Sequence, residues 1–385
     1  MSKKTKPRRG PAPGRAASSG SKDDNAAAVA AISQVLAKLF TVLAAGDPLR
    51  AEIETSISLS LPRILKIGPD QAEAFVSKVL VGEAVDQRSP EGAALLRLLM
   101  TLGSATTKKA ASQALSRLTA AGIYPPEWVT EAGKAIPVQA WRRHDIFGDN
   151  EAIAVTFRCG EAEHGIFAEI DLTGTPIAIA VGVALDGAAL IEAVCREDDP
   201  FDRAEQIGLP EARVRLESPL ALSAGKSEPD LSVDSIAALP IARSRVRRLP
   251  AEGAPQAQVF SAADRSAAMD DFMRSPAAAD AVAADEESTR FWAEVLTGYS
   301  SRTSGERPGQ VGPRKLAYIL LQHVPSTFVV SPGQRQHLES AVTAGSRWLR
   351  CAPDRTKVFG TWPRMMCASL RGPTWAGGSP GTRPL

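Results

Sequence analysis

The chain has 385 residues, of which 44% are hydrophobic and 23% charged, enough apolar material for two or three domains of roughly 100–200 residues each; a chain disordered throughout is excluded. The formal charge is +2, yet residues 1–22 carry seven Lys/Arg and no Asp/Glu, so the remainder is net acidic and the basic character belongs to one arm. Four cysteines, at positions 159, 195, 351 and 367, lack any short paired spacing, which excludes a zinc ribbon or a CxxC redox pair and fits a reducing cytoplasm.

Residues 1–24 form the first unit, a disordered basic arm. Lys3, Lys4, Lys6, Arg8, Arg9 and Arg15 alternate with Pro7, Pro11 and Pro13, so the arm repels itself and has little to bury. It reads as a solubilising leader. Its functional alternative is salt-sensitive, sequence-independent binding of RNA or DNA, in which those six cations neutralise phosphates. Asp23, Asp24 and Asn25 follow it and Lys38 interrupts the Ala-rich stretch behind, so no signal peptide is expected. The other apolar run, Pro176 to Leu185, stops at Asp186, short of the roughly 20 residues a membrane span needs.

Residues 25–135 read as a helical bundle. Val29, Ile32, Leu36, Leu39 and Leu43 recur at three- and four-residue steps, one buried stripe. Further stripes run through Phe75, Val76, Val79 and Leu80 and through Leu95 to Leu102, with breaks at Gly68-Pro69, Ser89-Pro90 and Gly103 that suit helix ends. Pro125, Pro126 and Trp128 open a short closing helix, with Trp128 in the core.

Residues 136–225 read as an acidic α+β module. Ile153, Val155 and Phe157 alternate with smaller neighbours, and Gly165 to Asp171 and Pro176 to Val183 are second and third runs, a three-stranded antiparallel meander with short Gly-containing loops. A helix from Asp186 carries Leu190, Ile191 and Val194 on one side, to cover a sheet face. Residues 138–225 hold seven Lys/Arg against sixteen Asp/Glu. Such a surface repels nucleic acid unless its cations are segregated, and it can attract the basic arm in cis.

Residues 226–258 contain Pro229, Pro240, Pro250 and Pro255 among Arg243, Arg245, Arg247 and Arg248 and read as a Pro-rich linker, or as an edge strand over Leu231 to Val246. Helices resume over 259–362: Phe291, Trp292, Val295, Leu296 and Tyr299 share a face, as do Leu316, Ile319, Leu320 and His323. Pro313 sits at a first helical position, and Ser331-Pro332 starts the last helix. Residues 363–385 hold four Gly, four Pro, three Arg and no acid. They read as a disordered tail or as the product of a frameshift in a GC-rich gene; the intact mass of protein from the native gene separates the two.

The stretches Gly122-Ile-Tyr-Pro-Pro-Glu-Trp128, Val138-Gln-Ala-Trp-Arg142 and Asp145-Ile-Phe-Gly-Asp149 resemble an uncharacterised family of proteins common in high-GC actinobacteria. The resemblance covers roughly residues 120–300. Its motifs carry no chemistry and imply no catalytic residue.

The densest polar group lies in the middle module: His144, Asp145, Asp149, Cys159, Glu161, Glu163, His164, Glu169 and Asp171. Such groups hold a divalent metal when they converge, but none belongs to HxH, HExxH or a cysteine pair, and Glu161, Glu163 and His164 read as a solvated hairpin loop. No GxSxG accompanies a histidine base, and Cys159 and Cys195 read as small buried hydrophobes. Glycines at 160, 165, 174, 182 and 187 match neither GxxxxGK[ST] nor GxGxxG. No metal or other cofactor is expected. His323 reads as a core or interface histidine. The fold class is therefore α+β: a helical N-terminal bundle, a small antiparallel-sheet module and a helical C-terminal region with disordered ends. The expected function is a cytoplasmic, non-catalytic interaction protein, with a protein partner plausible. The alternatives are a hydrolase or other enzyme built from His144, Asp145, Glu163 and His164, and an RNA- or DNA-associated protein acting through residues 1–22.

Overall fold

The computed structural model describes residues 22–160, 162–196, 201–225, 231–253, 260–303, 308–309 and 311–350. The six arm cations Lys3, Lys4, Lys6, Arg8, Arg9 and Arg15, together with Glu161 and the tail from 351, lie outside the described residues.

Six helices open the chain: α1 (Lys22–Ala45), α2 (Pro48–Ile64), α3 (Pro69–Phe75), α4 (Gly82–Asp86), α5 (Pro90–Leu102) and α6 (Ala105–Ala120), with a π-helical turn at Val76–Val81 between α3 and α4. Their starts are written locally. Asp47, Ser89 and Ser104 accept the orphan N–H groups of Arg50, Gly92 and Thr107, and Pro48 and Pro90 occupy first-turn positions where a missing N–H costs nothing. Helix α5 is the centre of this layer; Leu95, Leu96, Leu98 and Leu99 are all fully buried. It approaches α4 so closely that a Cβ on Gly92 would lie 2.3 Å from the Ala84 carbonyl. The expected short closing helix is a 3-10 turn at Glu127–Thr130, and Trp128 packs half-buried against this core.

The sheet has five antiparallel strands rather than three: β1 (Ile136–Asp145), β2 (Asn150–Cys159), β3 (Ala162–Asp171), β4 (Ile177–Ala184) and β5 (Asp202–Ile207), in the order β4-β3-β2-β1-β5. The two added strands are the charged ones; β1 contains Trp-Arg-Arg-His-Asp and β5 Asp-Arg-Ala-Glu-Gln, so neither shows the apolar alternation that marks β2. Period-two side chains divide the faces. Ala154, Trp141 and Phe167 pack on α7 (Gly187–Cys195), the helix expected from Asp186. Ile153, Val155, Phe157, Ile166, Ala168 and Ile170 pack on α8 (Leu209–Gly225) and α9 (Val233–Val246).

Helix α9 corrects the reading of 226–258 as a linker or edge strand. It is the central helix of the molecule, between the sheet on one side and α2 on the other, with Leu239, Ile241, Ala242 and Val246 buried. The misleading signal was Pro240, which removes an intrahelical donor and normally breaks a helix. Here α2 supplies the repair. The Ile236 carbonyl left without Pro240 N–H accepts from Ser60 Oγ at 2.9 Å. Ser56 Oγ donates to the Ala237 carbonyl at 2.6 Å and accepts from Ile241 N at 3.2 Å. A serine-rich α2 and a proline-broken α9 are thus one polar seam, and the sheet module does not close at residue 225.

The C-terminal region comprises α10 (Ala262–Arg274), α11 (Ala279–Ala284), α12 (Glu286–Thr303), α13 (Pro313–Tyr318), α14 (Val324–Thr327) and α15 (Pro332–Arg350), with a second π-helical turn at Ile319–His323. Ser331 Oγ accepts from Gln334 N, as its N-cap position requires. Trp292, fully buried, donates to the Gln334 carbonyl and pins α12 to α15. Among the described residues no helix is long and apolar enough to cross a membrane.

Candidate functional site

The four residues from which an enzyme site would be assembled fall at opposite ends of the sheet. His144 pairs across the ladder with Glu151, whereas His164 pairs with Phe157 and Glu163 with Arg158. Six residue steps along β2, from Glu151 to Phe157, separate the two positions, about 20 Å at the rise of a strand. Each end is a separate polar cluster.

At the first end the β1–β2 turn folds around Asp145. Its carboxylate accepts from the N–H groups of Phe147 at 2.7 Å, Asp149 at 3.1 Å and Asn150 at 2.7 Å, so this acid shapes the turn. Asp149, 2% exposed, reaches to the start of α13 and accepts from Arg314 N at 2.7 Å. A Cβ on Gly312 would come within 2.4 Å of that carboxylate, so the approach requires glycine. Lys315, fully buried, donates from Nζ to the Gly148 carbonyl at 3.1 Å, and Arg314 pairs with Asp171 at 3.4 Å. Tyr299 adds a hydrogen bond to the Thr173 carbonyl in the β3–β4 turn. Burial, with Asp145 close by, lifts Asp149 to a pKa of about 6, against the opposing pull of the Arg314 N–H and of Lys315. This cluster docks the C-terminal helices onto two turns of the sheet.

At the other end three buried groups join three elements. Arg245 of α9 forms a bidentate pair with Glu52 of α2, Nη1 donating to Oε1 at 3.1 Å and Nη2 to Oε2. Its Nε donates to His164 Nε2 on β3 at 2.9 Å. All three residues are fully buried. The donor at Nε2 places the histidine proton on Nδ1, which has no hydrogen-bond partner among the described residues. Burial, then the Arg245 charge, depress His164 to a pKa of about 4, so the ring is neutral at pH 7. The ring stacks on Phe157 with centroids 5.8 Å apart. His164 is therefore no member of a solvated loop, and the loop reading is corrected for it; Glu163, paired with Arg158 at 2.8 Å, is a strand residue as well. Cys159 and Cys195 are free and half-buried rather than buried, and burial raises both thiols, away from the thiolate a nucleophile needs.

On the α8 side of the sheet, Glu151 lies between Arg142 at 2.7 Å and Arg215 at 3.0 Å, and Arg142 reaches Glu205 at 3.1 Å. His144 stands 3.6 Å from Glu205. Arg143 pairs with Asp202 of β5 at 3.8 Å, so both arginines of the Trp141-Arg142-Arg143-His144 run are matched with acids of the sheet. His323 is half-buried in an aromatic group, 4.7 Å from Tyr299 and 5.8 Å from Phe328 between ring centroids, as expected for a core or interface histidine. Glu52, Arg245 and Lys315 were not singled out by their sequence context; a polar residue on a helix face otherwise filled by small residues was the available signal. Among the described residues no group of three His, Cys, Asp or Glu is arranged to hold a metal. Comparison with known proteins gave no matching family model, no matching curated relative and no matching solved structure.

Proposed function

We propose that the chain is a non-catalytic, cytoplasmic interaction protein that associates with another macromolecule through its helical faces and its basic arm. The observation that carries this reading is the separation of His144 and Asp145 from Glu163 and His164 along β2. General acid–base or nucleophilic work requires partners within about 3 Å of each other or of a shared substrate atom, and a gap of about 20 Å does not provide it. Each of these side chains also has a structural partner: His144 Nδ1 meets the Asp145 carbonyl at 3.0 Å, Asp145 holds its turn, Glu163 pairs with Arg158, and His164 accepts from Arg245.

The C-terminal helices and the segment that joins α14 to α15 offer apolar contact instead. Leu321 is 55% exposed and Val329 fully so, with Phe328 beside it at 37%. Zonal sedimentation of the full chain in cell extract at its native level tests the reading. The expected result is migration with another macromolecule, above the position of the purified chain, and nuclease treatment then divides nucleic-acid from protein partners. Migration at the position of the purified chain overturns it.

A further inference from the structure

The end of α9 and the turn after it carry Arg-Ser-Arg-Val-Arg-Arg, residues 243–248. Only Arg245 turns inward. Arg243 and Arg247, one helical turn apart, and Arg248 at the helix end are exposed, and the two on the helix lie about 6 Å apart along the axis. The same corner receives the first turn of α6. Arg248 Nη2 lies over Gly133, 3.3 Å from where a Cβ would stand and beside Thr101 at the end of α5, three residues before Ser104 caps α6. Lys108, half-buried in that turn, comes close enough for the Arg247 charge to lower its pKa, after burial as the larger cause. Arg247 is lowered by burial and then by Arg243, with only Glu217 opposing. Glu217 is already paired with Arg213 at 3.3 Å.

The side chains of Lys108, Arg243, Arg247 and Arg248 make no hydrogen bond or ion pair among the described residues. That sets them apart from Arg142, Arg158, Arg215, Arg245, Arg290 and Arg314, each of which has a carboxylate. The carbonyl end of α9 supplies roughly half a negative charge, which does not neutralise four cations. The N-terminal end of α6 adds positive potential to the corner. On a chain whose residues beyond 22 are net acidic, this is a segregated basic surface rather than an average one.

We propose that this corner binds the phosphate backbone of a nucleic acid, independently of sequence. Mutually repelling, unpaired guanidinium groups at one-turn spacing fit a strand that presents a phosphate every 3.4 Å of axis, and arginine binds phosphate through two parallel N–H donors. The +7 segment of residues 1–22 has the same sign and reinforces the same partner. The proposal rests on the interaction reading above and names its partner class.

The test is fluorescence anisotropy of a short random-sequence duplex with the full chain, over a salt series of about 50–200 mM. Four neutralised phosphates contribute a slope of about −3.6 to log K against log salt. The quadruple variant Lys108→Gln, Arg243→Gln, Arg247→Gln, Arg248→Gln is expected to lose about three to four units of that slope, both in the full chain and in a chain lacking residues 1–22. The triple variant Arg243→Lys, Arg247→Lys, Arg248→Lys, which keeps the charge, retains most of the slope and so separates lost binding from lost folding. An unchanged slope in the quadruple variant overturns the proposal, as does failure of the wild type to bind the duplex while it binds phosphatidylserine vesicles. A nuclease-resistant complex in cell extract that survives the quadruple substitution also overturns it, and leaves the interaction reading standing.

Discussion

The two ends of the sheet bury charge equally well and answer pH in opposite directions. At the Arg245 end one guanidinium faces one carboxylate and one neutral ring, so the charges balance and protonating His164 would add an unwanted cation. At the Asp149 end a buried carboxylate has Asp145 for a neighbour, and protonation relieves crowding. Burial is the larger cause at both ends and disfavours the charged form of each group, which lowers the base His164 and raises the acid Asp149, and the neighbouring Arg245 and Asp145 charges push the same way.

The comparison breaks most severely at Arg245. Arg245→Met leaves Glu52 buried without its cation, a loss of about 3–5 kcal/mol measurable by denaturant unfolding. Replacing both partners, Glu52→Leu with Arg245→Met, should recover most of that loss, because packed apolar groups replace a buried pair at little cost.

The two titrations sharpen it. His164 falls from 6.5 to about 4 on folding, so between those values the unfolded chain binds the proton and stability falls as pH falls. His164→Gln, which keeps an acceptor for Arg245, should remove up to about 3 kcal/mol of that acid loss. Asp149 rises from 3.8 to about 6, so the folded chain binds the proton first and stability rises as pH drops through that window. Asp149→Asn should remove a gain of about 2–3 kcal/mol between pH 7 and 4. Thermal melts of both variants across this range should show slopes displaced from wild type in opposite directions; displacement in the same direction would refute the assignment. The smallest effect is expected at the seam: Ser56→Ala strands the Ala237 carbonyl and the Ile241 N–H, about 2 kcal/mol by the same unfolding measurement.

What the sequence disclosed followed local rules. The stripe Leu36, Leu39 and Leu43, the Ser-Pro helix starts at 89–90 and 331–332, and the alternation of Ile153, Val155 and Phe157 each depend on neighbours within a turn or a strand. The α+β class and the N-terminal helices follow from them. Helix α9 was illegible because its helicity depends on two serines about 180 residues away, and β1 and β5 because their charges are paired across the sheet rather than with solvent. The polar clusters were hidden for the same reason. Glu52, Arg245 and Lys315 look like surface charges until the element that covers them is known, and His164 reads as a loop residue because Gly160 and the acids Glu161 and Glu163 before it resemble a turn.

The bond between Glu52 and Arg245 spans 193 positions, and this sets an order of events during synthesis. At about 5–20 residues per second, the ribosome needs roughly 10–40 s after making α2 before α9 exists to receive it. Over that interval Ser56, Ser60 and Glu52 lack the α9 partners they have in the folded chain. The last turn of α9 is then both the closing piece of the nascent fold and, through its outward arginines, the first moment at which the basic corner is assembled.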